Sequence, residues 1–275
     1  RYAASDNVSI SLKSKAISLV LAGGLLAAIL GPEVSRYSFD FFPDYIYLAT
    51  YLFAAIIQII NFLILIFINI KKPIPSKKIN RPLSDILLQK NLIIAILAAA
   101  VGYSLMSFIM TATPLQIVNV CKLGDSASAT VIQWHVIAMF APSFFTGTII
   151  NSLGNRKVMM IGLFLYAFSI SFTIIGQTIE HFWIALFLCG LGWNFLYVGG
   201  SDIIAKSALP EERAKVQGVT DFIIFVFVAT GSFLAGALHS TLGWEIMMFY
   251  TSIPIFILFM SLIIIKPDGG IKARY

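Results

Sequence analysis

No charged side chain occurs between Asp44 and Lys71, and none between Lys90 and Lys122. A polypeptide that runs this far without charge has few options, because about 20 mostly apolar residues wound as a helix suffice to cross the hydrocarbon core of a bilayer. Six further stretches are nearly as apolar. The chain therefore predicts eight crossing helices, at residues 15–35, 45–70, 91–118, 128–151, 156–178, 181–206, 216–240 and 244–265. Composition agrees: 59% of the 275 residues are hydrophobic and 12% are charged, against about 25% charged in soluble domains. The expected fold class is an all-α membrane protein, a polytopic helical bundle.

Cations test that parsing independently, because lysine and arginine accumulate in cytoplasmic loops. Arg1, Lys13 and Lys15, the six cations of residues 71–90, Arg156 and Lys157, then Lys206, Arg213 and Lys215, and finally Lys266, Lys272 and Arg274 all fall on one side. They make up seventeen of the 19 Lys and Arg; Arg36 and Lys122 fall on the other. Both termini of the chain are expected in the cytoplasm, with the bacterial inner membrane as the host bilayer. The net charge of +6 follows from topology and needs no nucleic-acid partner. A secretory leader over the first apolar run is disfavoured: the run continues through Gly31 and Pro32 without a convincing cleavage site.

The two cysteines, Cys121 in a short outer loop and Cys189 inside the sixth helix, offer neither a disulfide nor a metal ligand set. No phosphate-binding loop, metalloprotease His pair or nucleophile elbow occurs, so an enzyme has no reactive constellation to stand on. No cofactor is expected. A membrane enzyme or an inactive fragment remains the alternative from another class.

Residues 71–90, "KKPIPSKKINRPLSDILLQK", combine three prolines with six cations and divide the chain. Residues 1–70 then hold two helices of an N-terminal bundle, 71–90 a basic cytoplasmic linker, and 91–275 a C-terminal six-helix bundle with a short tail. A shift of 208 residues sets "GGLLAAIL" on "GSFLAGAL", pairing the first helix with the seventh. With arginine at position 1, the expectation is a chain lacking four N-terminal helices of a six-plus-six arrangement.

The stretch "GTIINSLGNRK" (147–157) resembles the loop signature of the major facilitator superfamily through Gly147, Gly154, Arg156 and Lys157. Asn151 stands where that signature has aspartate. "LAGGLLAAILGPEV" resembles the family's fifth-helix antiporter signature through Gly23, Gly31 and Pro32, but Glu33 and Val34 replace its closing glycines. "RYAASD" and "LPEERAKVQG" look like the end of the fourth helix and the loop before the eleventh. The resemblance implies family helices five to twelve and a monomeric secondary transporter that moves a small organic solute by alternating access, driven by an ion gradient. Proton-coupled efflux of drugs or metabolites is the alternative. It also implies a gating loop of Gly147, Asn151, Gly154 and Arg156, closed on its inner side by contacts with neighbouring helices. A plain positive-inside anchor competes for Arg156 and more so for Lys157.

Candidate substrate and coupling residues follow from polar groups at bilayer depth, where they are costly and usually face a cavity or the protein interior. Asn194, with Trp193 and Tyr197 beside it, lies near the middle of the sixth helix; Gly190 and Ser201 share its face. Tyr103 on the third helix and Gln58 and Asn61 on the second lie at comparable depth. His135, about 9 Å inside its helix end at 1.5 Å per residue, reads either as a substrate or proton group or as an uncharged packing histidine. Pro142 is expected to bend that helix. Asp221, His135 and Glu33 are the candidates for coupling transport to protons; Asp202 with Lys206 reads as a structural charge cluster. Small-residue faces, at which helices approach closely in bilayers, are expected at Gly23, Ala27 and Gly31 and at Ser232, Gly236 and Ser240. The tryptophan and tyrosines suit a planar or aromatic solute of vitamin-like type.

Overall fold

The computed structural model describes residues 1–38, 40–67, 82–209 and 211–265. Most of the expected linker, and the tail cations Lys266, Lys272 and Arg274, lie outside the described residues. The elements are helical throughout the described residues. Chain order runs α1 (Tyr2–Asp6), α2 (Lys13–Ala22), α3 (Gly24–Ser38), α4 (Leu48–Ile66), α5 (Leu83–Leu87), α6 (Lys90–Pro114), α7 (Asp125–Phe140), α8 (Ser143–Leu153), α9 (Asn155–Ile175), α10 (Ile179–Ser207), α11 (Arg213–Leu242) and α12 (Trp244–Ile264).

Seven spans are long and apolar enough to cross a bilayer. An eighth forms if α7 and α8, bent by 42° at their junction, are taken as one. The bend falls at Pro142, whose ring removes a backbone donor and starts the new helix. Two of the other spans are also interrupted. Residues 10–38 form one apolar span broken at Gly23, between α2 and α3, and α6 ends in a π-helical turn, Leu115–Val120, directly after Pro114.

The core is built on α10, 29 residues long, which packs against α6, α7 and α9. It can sit at the centre because its neighbours approach its backbone closely. A Cβ on Gly192 would lie 2.9 Å from the Gly162 carbonyl of α9, and one on Gly200 would lie 2.7 Å from the Ala95 carbonyl of α6. In a bilayer, where lipid is as apolar as leucine, such backbone proximity is what favours helix association. Tyr166 crosses from α9 to donate 2.6 Å to the Gly102 carbonyl of α6, tying the layer together.

The helices that precede residues 71–81 behave differently. α2 lies against α8 and α10, and α3 against α7. By contrast α4 touches the described structure through α3 and is exposed along nearly its whole length.

The expected small-residue faces are partly corrected. A Cβ on Gly31 or Gly236 would meet open space, and one on Gly23 meets only the Val20 carbonyl of its own helix. The close approach on the first span is made by Gly24 instead, one residue on and therefore about 100° round the helix. On α11 the tight positions are Gly231, packed on Ser104, and Ser232, which shares a 2.6 Å hydrogen bond with Ser107.

Candidate functional site

Trp193 sits at the centre of α10, with fourteen residues on either side, and it anchors a cluster of rings drawn from four helices. Tyr197, one turn along the same helix, stacks on it at 5.0 Å and 17°. Tyr103 of α6 meets Trp193 edge-on at 5.3 Å and Tyr197 at 5.1 Å, Phe140 at the end of α7 meets Trp193 at 5.6 Å, and Phe225 of α11 meets Tyr103 at 5.7 Å. Trp193 and Tyr197 are 2% and 3% exposed. The open flank is the one with Tyr103 and the half-exposed Phe225. Within this packed cluster the Trp193 indole Nε1 is buried and has no hydrogen-bond partner. A buried donor left unmade costs about 1–3 kcal/mol, so an acceptor brought to it gains strongly.

A charged group closes one side of the cluster. The Arg1 guanidinium lies over the Tyr197 ring at 4.7 Å and the Tyr2 ring at 4.2 Å, donates 3.1 Å to Ser201 Oγ, and pairs with Asp221 of α11 at 2.5 Å. Burial alone works against that charge, and the Asp221 carboxylate and the Tyr2 and Tyr197 rings compensate it. Arg1 is therefore a permanent cation wedged between aromatic faces, a geometry in which ring quadrupoles and a carboxylate act together.

At the basic end, the end that carries Lys13, Arg156 and Lys206, a second polar network joins the parts of the chain on either side of residues 71–81. The Asp202 carboxylate is wholly buried and accepts from Ser14 Oγ at 2.6 Å, Asn155 Nδ2 at 2.9 Å and Lys206 Nζ at 2.7 Å. Lys13 donates 2.9 Å to the Ala205 carbonyl, and Arg213 pairs with Asp6 at 3.4 Å. Gly147 of α8 lies so close to α2 that a Cβ there would be 2.6 Å from the Ser14 carbonyl. Asn151, on the same face, donates 3.2 Å to the Ser11 carbonyl. Gly154 takes φ +83°, the left-handed turn that reverses the chain into α9.

Arg156 points elsewhere. Its Nε donates 2.8 Å to the Leu262 carbonyl, and Nη2 reaches Ile263 at 3.4 Å, at the last turn of α12. A cation at the start of α9 is unfavourable for that helix, but it caps the carbonyl end of another. Of the loop residues, Arg156 thus contacts α12, Gly147 packs on α2, and Asn151 bonds the turn at Ser11 just before α2.

The remaining sequence candidates separate from the aromatic cluster. Asn194 is buried, with Nδ2 donating to the Met139 carbonyl at 2.7 Å and to Ser143 Oγ at 2.6 Å, while Oδ1 accepts 2.6 Å from Thr146. Its polar atoms are spent on the α7–α8 bend and not on a cavity. His135 is fully buried between α7 and α10, with Nδ1 2.6 Å from the Leu186 carbonyl. Gln58 and Asn61 lie on exposed α4, and Glu33 pairs with Arg36 at 3.4 Å on α3. Cavities of about 380 and 430 Å³ open between α11 and α12 over α6, and between α9 and α12, both lined chiefly by apolar residues. A third, of about 340 Å³, lies around Gln116, Gln177 and His239 at the other end of the bundle. Among the described residues no group of three metal-ligating side chains occurs.

Sequence reasoning named Trp193, Tyr197 and Tyr103, which lie in one cluster, and Asp221, which pairs with Arg1. It missed Arg1, Ser201's partnership with it, and Phe140, a phenylalanine in an apolar run that carries no signal until its neighbours are known.

A bundle of apolar spans, with broken helices and a polar and aromatic centre at mid-span, defines a polytopic membrane transporter. The comparisons with known proteins give that class its family. The sequence profile of the Major Facilitator Superfamily matches residues 118–273, and the chain belongs to that family of secondary transporters of small solutes. It is 38% identical to the riboflavin transporter RfnT of Brucella anthropi over 98% of this chain and 69% of the relative. It is 28% identical to each of two uncharacterized MFS-type transporters of Bacillus subtilis, YdeG and YddS, over 86% of this chain and 59% and 58% of theirs.

Proposed function

We propose that this chain is the part of a secondary transporter that binds a planar heteroaromatic solute on Trp193, Tyr197 and Tyr103, with riboflavin as the first compound to test. The observation that carries the reading is the ring cluster at the centre of α10 with an unpartnered indole N–H inside it. Riboflavin offers a flat ring system for stacking and ring carbonyls for that donor, and the similarity to RfnT supports it. Transport is driven by an ion gradient through alternating access, with the basic end in the cytoplasm of a bacterial cell and the transporter monomeric. Proton coupling falls to Asp221. Its pairing with Arg1 links the solute site to a group that can take up a proton, whereas Glu33 is engaged with Arg36, and His135 is sealed away from the rings.

The test is uptake of labelled riboflavin by the full-length protein in proteoliposomes. Offset ring pairs contribute about 0.5–1.5 kcal/mol each, so Trp193→Ala or Tyr103→Ala should raise the half-saturation concentration roughly 2- to 12-fold. Unchanged uptake by both variants refutes the site. Efflux of riboflavin, or of cationic drugs, from loaded vesicles would replace the uptake reading with the exporter reading.

A further inference from the structure

One side chain touches both the break between α2 and α3 at Gly23 and the aromatic cluster. Phe140, the last residue of α7, packs edge-on against Trp193 at 5.6 Å. The same ring also lies against Gly24, the first residue of α3. A Cβ on Gly24 would stand 2.6 Å from Phe140 Cδ1, 2.7 Å from Cε1 and 2.8 Å from Cγ. Three atoms of one rigid ring at that distance leave no room for a methyl group, because the ring cannot give by bending a flexible tip. Phe140 also directly precedes the Ala141–Pro142 corner, where the span turns by 42°. The backbone behind the ring is therefore fixed by the bend and by the Asn194 hydrogen bond to the Met139 carbonyl.

We infer that Phe140 is a positioning residue: a wedge between Gly24 of α3 and Trp193 of α10 that sets the tilt of the indole and links solute stacking to the break in the span of residues 10–38. This rests on the ring cluster being the solute site. Gly24 is glycine because the wedge occupies the space its side chain would need. A solute that stacks on Trp193 and shifts the indole shifts Phe140 against the helix start at Gly24. When the span moves at its break, the indole is released in turn.

The experiment uses the full-length protein with every tryptophan except Trp193 changed to phenylalanine, so that the indole reports directly. Gly24→Ala, Phe140→Leu and the double variant are compared for Trp193 emission and for riboflavin uptake, alongside surface expression. Gly24→Ala should shift the emission maximum and raise the half-saturation concentration about 5-fold or more, and adding Phe140→Leu should bring both back to the values of Phe140→Leu alone. Rescue by the second change is the readout that a merely structural glycine would not give. Should Gly24→Ala fail to reach the membrane, Phe140→Leu alone must alter the emission and raise half-saturation while leaving the maximal rate. Emission unaffected by either variant, or no reversal in the double variant, overturns the wedge. Normal emission shifts with no riboflavin uptake by any form, including the parent, sink the substrate reading and leave the wedge standing.

Discussion

Ser14 of α2 donates a 2.6 Å hydrogen bond to the carboxylate of Asp202 on α10, and neither residue has more than a trace of exposed surface. Each lies on its own side of residues 71–81, so this bond ties α2 to α10 across that divide, and Lys206 of α10 pairs with the same carboxylate. An anion buried here is tolerable because three donors from three helices converge on it.

Removing that anion strands Lys206. Breaking one partner of a buried pair costs about 3–5 kcal/mol, so Asp202→Ala should lower the melting temperature and membrane abundance sharply. The Asp202→Ala, Lys206→Ala double variant should cost less than the two single changes added together. Thermal unfolding of the full-length protein in detergent measures both; additive losses would show that the two residues act independently.

Gly147 offers a sharper handle on conformation than on stability. A methyl group there collides with the Ser14 carbonyl and the Lys15 Cα, and overpacking of this kind costs about 1–3 kcal/mol. Gly147→Ala should therefore favour the state in which α2 and α8 have parted. A cysteine placed at the buried Ser18 should become more reactive to reagents from the basic end, and equal reactivity in both backgrounds would mean that the contact does not gate access.

Arg156 is expected to behave as a cap. Losing its hydrogen bonds to the end of α12 should cost about 1 kcal/mol in Arg156→Ala, lowering the melting temperature by a few degrees while half-saturation for solute stays unchanged. A large transport defect without loss of stability would return the residue to the gate.

Orientation is open to direct labelling. With Cys121 and Cys189 replaced, a cysteine at the exposed Ser152 should react only from the cytoplasmic side and one at the exposed Thr241 only from outside. Reaction of Ser152→Cys in intact cells with an impermeant reagent would invert the topology.

The spans were legible in the sequence because a bilayer writes them in one dimension: charge-free runs and the side on which cations gather need no knowledge of neighbours. Pro142 was legible for the same local reason. The site was only half legible. Trp193 and Tyr197 stand out as aromatic residues at mid-span, but Asn194, next in line and equally conspicuous, turns a different face and meets α7 and α8. A polar residue announces that it needs a partner, not which helix supplies one. Gly24 rather than Gly23 making the close contact is the same difficulty at a resolution of one residue, since 100° of rotation decides which of two adjacent glycines meets the next helix.

The amide of Asn194 bonds both to the Met139 carbonyl just before the α7–α8 corner and to Ser143 and Thr146 just after it. It works as a splint across a fracture, and the two half-helices form one bent lever with little play at its elbow. The carbonyls around Gly23 receive no such side-chain donor among the described residues. Among the described residues, side-chain hydrogen bonds thus brace the Pro142 corner and not the interruption at Gly23, although the two spans touch at Phe140.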